Sequence, residues 1–297
     1  MKNLKFLPLI LCLFVYSSTY SFNPEKFKKL KISSIQVQTG MLYLKNSNGS
    51  LADFQKLNPN SNLLKNNFSG FKNSSGNYIT GSRVLSLLLE IDILNKEKSE
   101  YKSNPKLRVG LSYVNGNSLN NYYNMTDRKP YDTLTSSQTG STILIDSVNS
   151  KSYYMDYNFE QIRLDASLIF STNQKSRWSV YTGFGISAGL SLNSNSNISY
   201  YESKGIETND QRIGIPGLNN NNFQNSERET FRNKINFGIM AYVPIGIDFR
   251  IAKKNEFWKR AHLFYELRPG INFTSIPELR TIGSASLQSG FGVKFGF

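Results

Sequence analysis

The sequence predicts an all-β protein, an eight-stranded antiparallel up-and-down transmembrane β-barrel with long external loops. Three observations indicate this fold. Segments in which apolar and polar residues alternate recur eight times. The connections between them alternate between long and short, and the N-terminus has the pattern of a secretory leader. Alternation of this kind is typical of strands that face lipid on one side and a polar lumen on the other.

The eight alternating segments are each long enough to cross a membrane, which takes about 9–11 residues. They lie at about 33–44, 83–94, 106–115, 156–171, 177–192, 234–251, 261–273 and 282–297. Long connections, at 45–82, 116–155 and 193–233, follow the first, third and fifth segments, and short ones follow the second, fourth and sixth. Since such barrels have short periplasmic turns and longer external loops, both termini are expected in the periplasm.

The face expected to meet lipid carries no charge. Every second side chain of the last four segments belongs to a stripe of 31 positions without a single Asp, Glu, Lys or Arg. About six charged residues would be expected there, because they are 19% of the chain. A Lys or Arg at the bilayer midplane costs roughly 2–4 kcal/mol, which accounts for their absence.

Charged residues gather instead on the positions that face the lumen. They are Glu90, Asp92, Asp165, Asp248 and Glu266, and Arg108, Arg163, Arg250, Arg268 and Lys294. Eight strands enclose an interior just wide enough for side chains, and charges buried there have to be paired. We therefore predict a salt-bridge network that plugs the lumen. Glu266 and Arg268 are the first expected pair, with Asp248 and Arg250 on the adjacent strand as the second.

Residues 1–21 predict a cleavable signal peptide, with a basic start, an apolar run of eleven residues and a small, mostly polar end. Cleavage is expected after Ser21. Residues 22–32 then form a periplasmic N-terminal segment, and 33–297 form the barrel.

The single cysteine, Cys12, lies inside the predicted leader. Lipidation of Cys12 is the alternative interpretation, but Leu11 precedes it where a small residue is normal. Removing the leader leaves no cysteine, which excludes disulfides, thiolate catalysis and cysteine-based metal sites in the mature chain.

The chain is strongly basic, with a formal charge of +14 that falls to +12 once Lys2 and Lys5 leave with the leader. The expected periplasmic pieces carry about +9 of this charge and the external connections about +1. Basic side chains near a bilayer are attracted to anionic head groups by about 1 kcal/mol each, so the lipid bilayer is the expected partner. Nucleic acid is not expected, because no recognition helix, finger spacing or aromatic-basic platform is present.

Two features suggest catalysis but fit a structural role better. Residues 185–189 match the G-x-S-x-G pattern, yet that motif requires a turn from strand to helix and here it lies within an alternating segment. His262 is the only histidine and begins a strand beside basic residues, where a structural or solvated role fits. One histidine without a second histidine or a cysteine also provides too few ligands for a typical zinc site. We expect no catalytic residue, no metal site and no cofactor.

The long connections are rich in Asn, Ser and Gly, a composition that favours turns and mobile loops. Two stretches, 142–145 and 153–155, have the character of strands and would extend the third and fourth strands above the membrane as a hairpin. If those stretches span the bilayer instead, the strand count rises to ten.

The C-terminal residues 291–297 alternate and end on an aromatic residue, Phe297. This ending resembles the C-terminal signature of Gram-negative outer-membrane β-barrel proteins. The mature chain as a whole resembles the small barrels of the OmpX-like and OmpA-membrane-domain-like type, the outer membrane protein beta-barrel domain. The resemblance implies location in the cell outer membrane, and a role for Phe297 as the insertion signal by which the barrel-assembly machinery engages the last strand.

A non-enzymatic barrel is the expected function, with long loops that serve adhesion, partner binding or envelope integrity through an external or envelope protein partner. Binding surfaces concentrate on loops held by a rigid scaffold, which is the physical reason. A small channel for ions or solutes is the first alternative. An outer-membrane lipid-modifying enzyme is the second, and the lack of a histidine near the external rim argues against it.

Overall fold

The computed structural model describes residues 30–45, 47–74, 76, 79–93, 105–172, 176–208, 223–252 and 254–297. The predicted signal peptide and residues 22–29 of the predicted periplasmic segment lie outside the described residues. Parts of three connections, 94–104, 173–175 and 209–222, lie outside them as well.

Eight strands close into a ring in which each strand pairs antiparallel with the next and the last pairs with the first. They are β1 (Leu30–Lys45), β2 (Ile79–Ile93), β3 (Lys106–Thr135), β4 (Thr142–Ser171), β5 (Trp178–Thr208), β6 in three segments (β6a, Phe223–Arg232; β6b, Phe237–Tyr242; β6c, Ile245–Arg250), β7 (Ala261–Ser275) and β8 (Thr281–Gly296). The ring closes where β8 pairs with β1. The predicted eight-stranded up-and-down barrel is confirmed.

The sixth strand is not the continuous segment that alternation over 234–251 predicted. It breaks at 243–244, between β6b and β6c. Pro244 has no N–H to donate to the ladder, so pairing cannot run through it. The register nonetheless continues, because Tyr242 lies opposite Gly270 and Ile245 lies opposite Leu267, three residues further along each strand.

The third and fourth strands extend far beyond the barrel as one hairpin. Their pairing runs from Lys106 opposite Ile169 to Thr135 opposite Thr142, with shifts in register at 117–119 and 130–132. The predicted hairpin is therefore present and the ten-strand alternative is wrong. Outside those two stretches, the mobile loop that composition favoured over the rest of 116–155 is wrong, because cross-strand pairs such as Tyr122 with Tyr154 stabilise a ladder there.

The first connection is ordered too. Helix α1 (Leu51–Leu57) begins at a capping box, in which Ser50 and Asp53 exchange side-chain and backbone hydrogen bonds. A short 3₁₀ helix (Leu63–Lys65) follows, and two-residue bridges at Ser47–Asn48 and Lys72–Asn73 attach the connection to β3. We call residues 47–74 the first external segment. At the opposite end of the barrel, α2 (Glu256–Lys259) forms the turn before β7.

Apolar side chains point outward on all eight strands. One exposed example from each strand, in ring order, is Val37, Leu85, Leu111, Leu164, Phe184, Ile247, Ile271 and Phe291. The stripes that alternation assigned to the outside are outside. None of the described helices is both long and apolar enough to cross a membrane.

Candidate functional site

The centre of the barrel is filled by four charged side chains that we call the lumen network: Arg108, Asp165, Glu266 and Arg268. Arg108 binds Glu266 through two hydrogen bonds, with N···O distances of 2.6 and 3.1 Å. Arg268 donates from Nε to Glu266 at 2.5 Å and from Nη1 to Asp165 at 2.9 Å. All four side chains are buried. Glu266 is thus shared by both arginines, and Arg268 links it to Asp165 in one continuous chain of ion pairs.

The contacts of Arg108 with Glu266 and of Arg268 with Asp165 cross the lumen, whereas the contact of Arg268 with Glu266 lies along one strand. Arg108 comes from β3 and Glu266 from β7, which lie on opposite sides of the ring. Arg268 also donates to the Gln38 side chain of β1 at 3.0 Å, and Tyr242 of β6 donates to Asp165 at 2.6 Å. Five strands are therefore tied together at one level, and the ion pairs occupy the cross-section of the barrel.

A second group of charges, the rim cluster, lies at the end of the lumen where β1 begins and β8 ends. It consists of Glu90, Asp92, Lys106, Asp248, His262 and Lys294. Lys106 pairs with Glu90 at 3.4 Å and with Asp92 at 3.3 Å. Lys294 pairs with Asp248 and lies 3.9 Å from Glu90, and His262 contacts the same Asp248. The histidine side chain is therefore engaged with a carboxylate.

The partners of three predicted residues differ from expectation. Asp248 pairs with His262 and Lys294 rather than with Arg250, which is half-buried near the end of β6c. Arg163 is buried on β4, and its hydrogen bonds go to the side chains of Gln161 at 2.8 Å and Asn272 at 3.0 Å. Two neutral amide oxygens therefore accept hydrogen bonds from this buried cation.

Glycine positions leave room for the large inward side chains. A Cβ at Gly185 would lie 2.3 Å from the Tyr242 ring, and one at Gly246 would lie 2.1 Å from the Tyr181 ring. Gly185 belongs to the G-x-S-x-G match, which lies inside β5 as the alternation predicted. Ser187 of that match is opposite Asp165 and Met240 in the two ladders. Among the described residues no group of three or more His, Cys, Asp or Glu side chains is placed to hold a metal.

The upper lumen and the space above it contain an apolar cluster, which we call the external core. Phe54 of α1 is fully buried there, and Leu57, Leu63 and Leu64 of the first external segment pack with it. The strands of the barrel and their extensions above it contribute the side chains Leu42, Leu44, Val84, Val114, Leu119, Tyr153, Met155, Tyr157, Phe159, Ile198, Met240 and Tyr242. Phe68 adds ring contacts to Tyr153 at 4.6 Å. The first external segment thus folds inward and covers the mouth of the barrel.

Polar contacts hold the first external segment to the strands around it. Glu229 of β6a accepts hydrogen bonds from the Ser61 hydroxyl at 2.5 Å and from the backbone N–H groups of Asn62 and Leu63. Asn66 donates to the Tyr153 hydroxyl at 2.8 Å. One carboxylate therefore caps the 3₁₀ helix from a strand that is distant in sequence.

Above the barrel, the long strands form what we call the external sheet: residues 118–135 of β3, 142–158 of β4, 193–208 of β5 and all of β6a. One face packs on the external core, and the other faces away from it. On the core side, the Tyr153 and Tyr200 rings lie 4.9 Å apart. Burial and the neighbouring Glu202 carboxylate raise the pKa of Tyr200 to about 12.

Glu202 stays ionised at this site. Burial opposes its charge, but hydrogen bonds from Asn149 and Tyr200 and the charges of Lys151 and Lys204 outweigh burial and lower its pKa. On the opposite face, burial raises the pKa of Asp156, against hydrogen bonds from Asn197 and Asn158. The external sheet therefore carries compensated charge on its core side.

The first external segment is the feature that alternation missed, because residues 45–82 were interpreted as a mobile loop. Its signals are present in the sequence. Ser50 and Asp53 have the spacing of a capping box, and Leu51, Phe54 and Leu57 recur at helical spacing. Lys106 was missed as well, because it is the first residue of its strand and was not counted with the inward set.

No protein-family model and no curated protein matches the chain. Among solved structures, the chain is similar to Neisserial surface protein A, with 11% identity, 91% of this chain and 100% of that chain covered, and a TM-score of 0.31. It is also similar to Ail, the attachment invasion locus protein of Yersinia pestis, with 9% identity, coverage of 89% and 100%, and a TM-score of 0.25. For OmpT of Vibrio cholerae the identity is 10%, the coverage is 90% and 97%, and the TM-score is 0.15.

Similarities at this level are too weak to support a family, a location or a function.

Proposed function

We propose that this protein is a non-enzymatic outer-membrane β-barrel whose lumen is sealed and whose external sheet is displayed to partners outside the cell. The observation that carries the proposal is the contrast between the two sides of one ring of strands. Large apolar side chains are exposed outward on all eight strands, whereas charged side chains are buried inward. That distribution is the reverse of a water-soluble protein, which hides its apolar face.

The height of the exposed apolar belt supports a bilayer as its partner. On β7 the belt runs from Leu263 to Phe273, which is about 33 Å along a strand at ~3.3 Å per residue. A strand tilt of about 40° reduces this to roughly 25 Å, the usual height of the apolar band of outer-membrane barrels. Single exposed apolar residues occur on any protein surface, but a closed belt of this height does not.

Aromatic side chains below the belt fit a membrane interface. At the barrel end nearest α2, the Trp178 and Phe249 rings lie 4.5 Å apart, and the Arg177 guanidinium lies 4.9 Å from the centre of the Phe249 ring. Phe257 and Trp258 of α2 are also exposed, and the Phe257 ring lies 5.4 Å from the Phe295 ring of β8. Aromatic residues with basic neighbours favour the head-group level of a bilayer.

The filled lumen supports a structural barrel rather than a channel. The lumen network ties five strands together at one level, and the external core covers the mouth with the first external segment. Opening a path would require buried ion pairs to separate, and each separation leaves a charge unpaired at a cost of several kcal/mol. A partner-binding role then belongs to the external sheet, the part that extends beyond the belt.

Cysteine labelling in intact cells tests the location and the orientation. Cys12 is first replaced by serine, and a single cysteine is introduced at Tyr131→Cys, in the hairpin of β3 and β4, or at Lys254→Cys, beside α2. A membrane-impermeant maleimide should label the Tyr131→Cys protein in intact cells and the Lys254→Cys protein only after the outer membrane is permeabilised. Labelling of both in intact cells, or recovery of the protein in a soluble fraction, would contradict the proposal.

Planar-bilayer recording tests the sealed lumen. The purified barrel should show no sustained open state of porin size, because ion pairs fill its cross-section. Stable single-channel steps would favour the channel alternative instead.

Shortening the hairpin of β3 and β4 tests whether the external sheet binds partners. Residues 126–150 can be replaced by Asn-Gly between the paired residues Met125 and Lys151, which leaves the residues of the external core unchanged. Adhesion or partner capture should fall, while the folded barrel remains.

A further inference from the structure

The face of the external sheet that is turned away from the external core contains an open groove of about 540 Å³. We call it the external groove. Its walls are Tyr122 of β3 and Tyr201 of β5, and its floor includes Ser150, Ser152 and Ser203. The volume lies within the range of about 300–1,000 Å³ that is typical of small-molecule sites.

The ladder explains why these side chains share one face. Tyr153 and Tyr200 are paired across β4 and β5 and pack on the side of the external core. Because side chains alternate along a strand, Ser152 and Tyr201, which are paired with each other, lie on the opposite face. Tyr122 lies on that same face, since its neighbour Tyr123 contacts Phe68 in the external core.

The two walls stand far enough apart for an extended ligand to lie across the groove. Tyr122 and Tyr201 are two strands apart, which is about 9–10 Å, and are offset by two residues along the strands, or about 7 Å. On β4, the strand between them, the small Ser152 is paired with Tyr201, whereas the exposed Tyr154 is paired with Tyr122, so the floor is low on the side of Tyr201. Both tyrosines are solvent-exposed, at 36% and 52% of their surface, respectively.

The chemistry of the groove is uncharged on balance. Its two ionic lining residues, Lys151 and Glu202, pair with each other at 3.8 Å, and Glu202 accepts a further hydrogen bond from the Tyr200 hydroxyl at 3.2 Å. Both contacts lie on the side of the external core. The remaining polar groups are serine and threonine hydroxyls and amides such as Asn124, which already accepts a hydrogen bond from Ser74 at 2.7 Å.

We propose that the external groove binds a neutral oligosaccharide. A sugar presents C–H faces that pack on aromatic rings and hydroxyl groups that pair with short polar side chains, and the groove offers both. Sugar rings would pack on Tyr122 and Tyr201, and their hydroxyls would hydrogen-bond to Ser150, Ser152 and Ser203. This inference deepens the proposed function and rests on it for one point only, that the groove faces the outside of the cell.

Binding is tested on the full chain in detergent micelles, where the membrane plays no part. The probes are three tetrasaccharides, chitotetraose, cellotetraose and maltotetraose, titrated to millimolar concentration by calorimetry. At least one should bind, and Tyr122→Ala and Tyr201→Ala should each weaken that binding roughly tenfold, the loss expected for one aromatic packing partner. Tyr131→Ala is the matched control, because Tyr131 is an exposed tyrosine of the same hairpin outside the groove, and it should bind as the unmodified protein does.

Three results would overturn the inference. They are no binding of any of the three probes, binding that survives both groove variants, and binding confined to a sulfated heparin fragment that salt abolishes, which would assign recognition to exposed lysines instead. Because all variants are at the surface, retention of the heat-modifiable folded band in gels establishes that they fold. The cysteine labelling described above reports only which side of the membrane the external sheet occupies, so failure of glycan binding and failure of the proposed function are separate outcomes.

Discussion

The two halves of the barrel interior are filled by opposite chemistry. The lower half buries arginines and carboxylates in the lumen network and the rim cluster, and the upper half buries aromatic and aliphatic side chains in the external core. The lower half is made only of strand residues that face one another across the lumen. The upper half needs the first external segment, a part of the chain that folds in from outside.

The two halves therefore obtain their stability from different sources. A closed ring of strands fixes the positions of inward side chains, so cross-lumen partners are preorganised and buried charge is tolerable. Above the closed part of the barrel the long strands continue without a closed ring, and apolar burial against the first external segment takes over. Substitutions in the two halves are therefore expected to fail in different ways.

Glu266→Ala should have the largest effect. It leaves the guanidinium groups of Arg108 and Arg268 buried without their shared carboxylate, at a cost of about 3–5 kcal/mol in the free energy of unfolding. Chemical denaturation of the barrel in detergent, followed by heat-modifiability in gels, measures it. Glu207→Ala is the control, because Glu207 pairs with Arg128 at an exposed site and should cost no more than about 1 kcal/mol. Equal losses for the two variants would contradict a buried lumen network.

Phe54→Ala should cost about 3–5 kcal/mol through the cavity it leaves, but the loss should stay local. Amide hydrogen exchange should accelerate across the first external segment while β7 and β8 remain protected. Lys56→Ala, on the exposed side of the same helix, should leave exchange unchanged. If the whole barrel lost protection together with α1, the two halves would be one cooperative unit.

Arg163→Met should cost less than Glu266→Ala. The removed cation is held by the neutral side chains of Gln161 and Asn272, so no unpaired charge remains, and the expected loss is about 1–3 kcal/mol from unsatisfied amides. The same denaturation assay ranks the two variants. A larger loss for Arg163→Met would show that this arginine, rather than the lumen network, dominates the stability of the lower half.

The alkaline titration of Tyr200 should give the smallest effect. Burial and then Glu202 raise the pKa of Tyr200 to about 12 from an ordinary 10.0, so its stabilising contribution is full below pH 10 and is lost as pH rises toward 12. Absorbance at alkaline pH, as the difference between the unmodified protein and Tyr200→Phe, follows this group. Glu202→Gln should shift the transition to lower pH, whereas Glu207→Gln should not. A transition that ignores Glu202 would contradict the contact on the core side.

The lumen network shows how far sequence patterns carry. Alternation assigned Glu266 and Arg268 to one inward face, and their pairing is a contact between near neighbours on one strand. The alternation of apolar and polar residues could not predict the ion-pair partners of Arg108 or Asp165, because distances across the lumen depend on how the ring of strands closes. The same limit applies to Asp248, whose partners Lys294 and His262 come from two other strands.

The external half was harder to predict. A composition rich in Asn, Ser and Gly indicated mobile loops over 116–155 and 193–233, and most of the described part of these ranges is strand. The β-strand propensity of these two ranges is weak. The ladder forms because each strand is already paired with its neighbour where it leaves the barrel. The capping box at Ser50 marked α1, but no local signal showed which surface α1 would cover.

A period of two residues is a local property of the chain, so the sequence alone is enough for the fold class and for the face on which the residues of the eight alternating segments lie. The closed ring settled eight strands rather than ten, which charges meet across the lumen, that the first external segment covers its mouth, and that Tyr122 and Tyr201 wall one groove. Those contacts join residues far apart in the chain, and their distances exist only once the ring of strands has closed.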